Sequence, residues 1–309
     1  MQVILHLGAH RTGSTSFQTY MARHPVPDCA YWGPDVTRGG LLGGLHVFPQ
    51  SPRTLRRIRG RIAVKLALLE KRGHTHLLVS DENMLGPMRS NLRCSALYPE
   101  VGMRIARAAH VFGPALGRVA VQIRALDSYW ASVLAFSVSR GFAPPTGADL
   151  ERLVQNTRSW RDMITELACA MPGVEISVTP FEQFAARPDL VLSHVLGGVA
   201  VSPVARAPWV NRSPVLGQLR HAIAQAYPER VSLLPAGNGG WQPFSRAVRD
   251  VLRDRYSQDL AWFRRGADGL AIYHGHTASG VADRAAPTRE TTRGSEDNDS
   301  QDRRMARPC

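Results

Sequence analysis

The 309-residue chain is short of several features that would classify it at once. It has four cysteines, Cys29, Cys94, Cys169 and Cys309, widely scattered and with no CxxC pair. Neither a disulfide framework nor a thiolate metal site is expected, and reduced thiols are. No run of about 18 apolar residues occurs, so no membrane span is expected. The first apolar run is too short for a secretory leader, which points to the cytoplasm. Lysine is nearly missing: Lys65 and Lys71 stand alone among 38 basic residues. The net charge of +13 is therefore carried by arginine, whose planar fork suits phosphate, sulfate and carboxylate. No zinc finger, basic zipper or aromatic-rich RNA-binding signature accompanies that charge, so a nucleic-acid partner is not expected. An acidic small-molecule ligand such as a nucleotide accounts for the sign equally well.

What is present begins at the N-terminus. Val3, Ile4, Leu5 and Leu7 make an apolar run of strand length. Gly8 and Gly13 bracket a tight loop, and Phe17, Tyr20 and Met21 then follow one helical face. A strand, a Gly-rich turn and a helix start together form a phosphate cradle, because the first amides of the helix have no partner within it. Gly8, four residues and Gly13 match P-loop spacing, yet Ser14 stands where a nucleoside-triphosphatase has its lysine. Triphosphate hydrolysis is disfavoured, and a phosphate-bearing nucleotide remains indicated. Basic charge sits inside the loop instead, at Arg11, beside His10, Thr12, Ser14 and Thr15.

This His-Arg-Thr-Gly-Ser-Thr-Ser run resembles the 5′-phosphosulfate loop of sulfotransferases that use 3′-phosphoadenosine 5′-phosphosulfate (PAPS), bacterial members above all. Two further stretches carry the resemblance. Arg124 follows the strand-like run from Gly117, and Ser132 lies eight residues on, in the second turn of a helix. In the family, an arginine and a serine at this spacing grip the 3′-phosphate of the nucleotide. Ser80-Asp81-Glu82-Asn83 follows another strand, at the strand end where open parallel sheets place ligands. In related glycan sulfotransferases a glutamate takes the acceptor's hydroxyl proton. The resemblance thus implies Glu82 as base, with Asp81 its rival, and Arg11 as electrostatic stabiliser in place of the family's catalytic lysine. It implies nucleotide binding by His10, Arg11, Thr12, Gly13, Ser14, Thr15, Arg124 and Ser132, with PAPS as co-substrate, a hydroxyl-bearing acceptor and no metal. His10 either shapes the loop or touches the sulfuryl oxygens. The Arg-Lys-Gly segment of eukaryotic members has no match, and Arg212 is the candidate substitute. A small-molecule kinase of the P-loop type and a non-catalytic nucleotide-binding protein are the alternatives.

The rest of the chain alternates. Strand-like runs at 3–7, 76–80, 117–124 and 174–179 are separated by helical patterns at 53–72, 98–113, 150–170 and 189–196, with a last helix capped by Ser245. Within that last helix Val248, Val251, Leu252, Tyr256 and Phe263 are expected to pack inward. Asp127 is expected to cap the helix after Arg124. Residues 25–50, rich in Pro and Gly, read as a long loop. Arg53, Arg56, Arg57, Arg59 and Arg61 lie off the apolar stripe of their helix, as a solvated face or an acceptor-steering patch. Pro180-Phe181-Glu182 reads as a structural turn. The fold expected is a P-loop-type three-layer α/β sandwich with a mostly parallel central sheet, over residues 1–276. Residues 277–309 carry six arginines and six acids from Asp283 to Arg307 and no apolar period, and are expected to be disordered.

Overall fold

A parallel sheet organises the molecule, and its strand order puts the first strand in the middle. The computed structural model describes residues 1–43, 45, 51–199, 201 and 210–276. The chain divides into two units, Met1–Gly275 and His276–Cys309. The tail expected from residue 277 lies outside the described residues. Among those residues the strands are β1 (Gln2–Gly8), β2 (Cys29–Trp32), β3 (His76–Ser80), β4 (Leu116–Ile123), β5 (Glu175–Pro180) and β6 (Ile272–Tyr273). They pair in the order β2-β3-β1-β4-β5-β6, and every pairing is parallel. After β1 the chain runs to one edge; after β4 it runs to the other. The crevice beyond the carboxyl ends of β1 and β4 is therefore the topological switch point, where such sheets bind ligands.

Alternation along β1 separates two cores. Val3, Leu5 and Leu7 face one side and join the larger cluster. Helices α2 (Pro52–Lys71), α3 (Val101–Phe112), α4 (Leu126–Ser139), α6 (Trp160–Ala170), α8 (Leu216–Ala226) and α9 (Arg246–Arg264) contribute to it. Ile4 faces the other side, under Phe17, Tyr20 and Met21 of α1 (Ser14–Arg23) and Val191, Leu192 and Val195 of α7 (Pro188–Val195). The result is the expected α/β arrangement of sheet between helical layers. No helix among the described residues is long and apolar enough to cross a membrane.

Four expectations change. The stretch 25–50 is not all loop: Cys29–Trp32 forms the edge strand, with Ala30 and Trp32 buried. Pattern alone could not separate four strand residues from the Pro and Gly on either side. The helix expected at 150–170 is two, α5 (Gly147–Gln155) and α6, broken at Asn156–Ser159. Each has its own acidic N3 residue: Asp149 accepts from the Thr146 amide and Asp162 from the Ser159 amide, both at 2.8 Å. Val251 is 50% exposed, so α9 buries Leu252, Tyr256 and Phe263 without it. Finally, Asp127 does not cap α4. It lies in the first turn, accepting from Arg253 at 2.8 Å, while Glu182 accepts from the Ala125 amide at the helix start.

Candidate functional site

The loop from Gly8 to Gly13 turns tightly because three residues adopt positive φ: Gly8 (56°), Arg11 (64°) and Gly13 (91°). A Cβ on Gly8 would overlap the Ser14 hydroxyl, so glycine is required there. The loop is braced from inside. The Thr12 hydroxyl donates to the Ala9 carbonyl (2.8 Å) and accepts from the Ala9 amide (3.1 Å), and Ser14 donates to the same carbonyl (2.9 Å). Thr12 is wholly buried. Its role, and that of the Ser14 hydroxyl, is thus to shape the turn, leaving backbone amides to face an anion. The Thr15 hydroxyl accepts from the Asn211 side chain at 3.2 Å.

His10, Arg11, Gly13, Ser14, Thr15, Glu82 and Arg124 line one cleft of about 470 Å³, at the switch point. Arg212, beside Asn211 and Ser213, lines it too. The sequence brings Arg124 near the loop only through the fold: β4 lies beside β1, and Arg124 leaves its end. Its Nη1 donates to the Arg11 carbonyl at 2.7 Å, its Nε to Ser128 Oγ at 3.0 Å, and its guanidinium lies 4.4 Å from the Phe181 ring centroid. Phe181, read as part of a structural turn, is thus a wall of the cleft as well.

Ser132 is placed differently from its expected partnership. It is buried on α4 and accepts from Arg11 Nε at 3.0 Å, with Ser213 Oγ 2.7 Å away. Arg11 also donates through Nη2 to the Asn211 carbonyl (2.9 Å) and Ser213 Oγ (3.2 Å). Burial, and then the charge of Arg124, push the Arg11 guanidinium down to about 10. It still carries its proton at neutral pH. Burial also lowers Arg124. Two partly buried cations held this close favour an anion between them.

Of the two neighbouring acids only Glu82 lines the cleft. Asp81 is completely buried. It accepts from Thr37 (2.7 Å), from Arg38 Nη2 (2.7 Å) and from the Asn83 amide (3.1 Å). Glu82 faces the cleft, its Oε1 accepting from Arg38 Nη2 (3.0 Å) and its Oε2 from Gln18 (2.9 Å). Burial alone would raise the Glu82 carboxyl. His10, its own backbone amide, Gln18 and Arg38 outweigh that, and the net position is below the ordinary glutamate value. Glu82 is ionised at neutrality, and both its oxygens, like those of Asp81, have donors; Glu82 differs in lining the cleft.

His10 lines the cleft as well. Tyr98 Oη lies 2.9 Å from its Nδ1. The Asn83 amide lies 3.2 Å from its Nε2, and with Nδ2 turned toward the ring its Oδ1 accepts from Arg38 at 3.1 Å. That orientation makes Nε2 an acceptor and places the imidazole proton on Nδ1, donating to Tyr98. Burial pushes the imidazole below its ordinary value, so His10 is neutral at pH 7 and lowers the Glu82 carboxyl only in the acid range where the ring is charged. Arg38, Asn83, Gln18, Tyr98 and Ser213 were not singled out in the sequence. Arg38, Gln18, Tyr98 and Ser213 meet Asp81, Glu82, His10 and Arg11 from distant parts of the chain, whereas Asn83 lies within the Ser80–Asn83 stretch already noted. Comparison with family models, with curated proteins and with solved structures found no match for this chain.

Proposed function

We propose that this chain is a sulfotransferase that moves a sulfuryl group from PAPS to an acceptor hydroxyl. One observation carries the reading: the Arg124 guanidinium, 113 residues from the loop, bonds the Arg11 carbonyl, so both arginines and the α1 amides open on the cleft that Glu82 faces. The donor set suits a nucleotide with anions at two places. The α1 amides and Arg11 would hold the 5′-phosphosulfate. Arg124, with Arg212 beyond it, would hold the 3′-phosphate. PAPS would supply an activated sulfuryl group on a good leaving group. Arg11 would balance the charge that develops as the S–O bond breaks, and as an arginine it does so without giving up a proton. Glu82 would accept the acceptor's hydroxyl proton at a carboxylate oxygen already oriented by Gln18 and Arg38. His10 would shape the loop, its ring nitrogens being taken up by Tyr98 and Asn83.

A kinase would need a carboxylate for magnesium, and Asp81 has its oxygens filled by Thr37, Arg38 and the Asn83 amide. Calorimetry separates the readings. 3′-Phosphoadenosine 5′-phosphate should bind more tightly than ATP, and magnesium should not change its affinity. Tighter binding of ATP with magnesium would replace this proposal with the kinase. Nucleotide binding without turnover on any hydroxyl acceptor would leave a binding protein.

A further inference from the structure

Two further arginines, Arg89 and Arg140, lie beside the cleft, within one helical turn of residues that line it. Met88 and Phe136 line it. Arg89 follows Met88, and its guanidinium lies 4.6 Å from the centroid of Phe142. Arg140, one turn after Phe136, lies 5.0 Å from that ring's centroid, and Arg11 lies 5.0 Å from it as well. Arg89, Arg140 and Phe142 are exposed. Among the described residues no carboxylate is within ion-pair distance of Arg89 or Arg140, and neither side chain donates a hydrogen bond to one. Other arginines at or near the sheet spend their charge on acids: Arg38 on Asp81, Arg118 on Glu175, Arg253 on Asp127. Glu82, the acid that lines the cleft, shares Arg38 with Asp81, and neither acid is within ion-pair distance of Arg89 or Arg140.

Stacking on an aromatic ring uses the face of a guanidinium and leaves the N–H donors at its edge open. It also orders a long side chain before any ligand arrives, which lowers the entropy lost on binding. Two ordered forks with open edges and no carboxylate within ion-pair distance are suited to planar anions. The nucleotide's two anions are assigned to Arg11, Arg124 and the helix start, Arg11 sharing the Phe136 ring with Arg140.

We propose that Arg89 and Arg140, held on Phe142 and Phe136, form an acceptor subsite for a hydroxyl compound that also carries a carboxylate, as an acidic sugar chain does. The assignment of this molecule as acceptor rests on the sulfotransferase reading. The binding itself does not. A neutral acceptor would leave both forks unused.

The test uses the full chain, alone and saturated with 3′-phosphoadenosine 5′-phosphate, and two probes: a hyaluronan hexasaccharide and its carboxyl-reduced, neutral counterpart. The acidic probe should bind at least tenfold more tightly than the neutral one. Arg89→Gln with Arg140→Gln should abolish that difference, and Arg56→Gln with Arg57→Gln, on the outer face of α2, should leave it. Arg89→Lys with Arg140→Lys, which keeps the charge and loses the fork, should give an intermediate value. Equal binding of both probes, or of neither, overturns the subsite. So does an unchanged preference in the first double variant, or equally effective competition by an oligothymidylate of the same charge, which would mark a general polyanion surface. Failure of the nucleotide to bind, with the probe preference intact, would overturn the sulfotransferase reading alone.

Discussion

The phenolic oxygen of Tyr98 accepts the backbone N–H of His10 at 2.7 Å and lies 2.9 Å from Nδ1 of the same residue. One buried hydroxyl thus fixes both the backbone and the ring of a residue in the Gly8–Gly13 loop, 88 positions away. Tyr98 is itself held in an uncommon conformation, at φ 42°, where a side chain other than glycine is strained. The Asn91 side chain accepts from its amide (3.1 Å), and Arg158 donates to its carbonyl (3.1 Å). Tyr129, whose hydroxyl accepts from Asn91 at 2.9 Å, is hydrogen-bonded to it from below.

Tyr98→Phe keeps the ring and removes this tether. Two donors of His10 are left without their acceptor, at a cost of about 1–3 kcal/mol. Urea unfolding should show a lower midpoint at an unchanged slope. A loss below about 0.5 kcal/mol would mean that water or Asn83 replaces the hydroxyl.

Arg124→Ala should weaken 3′-phosphoadenosine 5′-phosphate by about 10- to 100-fold, the worth of one or two charge-assisted bonds. Adenosine 5′-phosphate, which lacks the 3′-group, should lose much less. Calorimetry on both nucleotides decides the point, and parallel losses would take the 3′-phosphate away from Arg124.

Glu82→Gln keeps the acceptor oxygen for Arg38 or Gln18 and removes the proposed base. Sulfuryl transfer should fall by about 10²–10⁴-fold, with nucleotide affinity unchanged. Since Glu82 sits below the ordinary glutamate value, the wild-type rate should hold from neutrality down into the acid range before its acid limb appears. A variant with wild-type turnover would move the base elsewhere on the cleft.

His6 supplies a pH test of stability. It is buried on β1, bonded through Nδ1 to Ser80 Oγ at 2.8 Å and packed 4.0 Å from the Phe17 ring. Burial pushes its imidazole down from 6.5 to about 4. The unfolded chain therefore takes up a proton between these values that the folded chain refuses. The neutral ring's contribution is complete above pH 6.5 and is lost as pH falls to 4, about 3 kcal/mol in all. His6→Gln should flatten the stability profile in that window, seen by urea titration at several pH values. An equally steep profile would place the acid sensitivity on other groups, such as His274, also lowered to about 4.

Local pattern determined a good deal. The apolar run before Gly8, the spacing to Gly13 and the buried stripe of α1 are short-range features, and they place a strand, a turn and a helix without reference to the rest of the chain. The same holds for Arg124 at the end of an apolar run and for Glu82 just past another. Parallel strands bury both faces and end at the same edge of the sheet, so residues at strand exits tend to share a surface. Pairing was beyond reach of pattern. Which strand neighbours β1 depends on crossovers of dozens of residues, and only that choice sets Arg124 against Arg11. Side-chain direction was also invisible: Thr12 turns inward, Ser132 meets Arg11, and Asp81 is absorbed by Thr37 and Arg38 while Glu82 faces the cleft. Such outcomes depend on which long-range partner satisfies a polar group as it leaves water, and that is a property of the packed molecule.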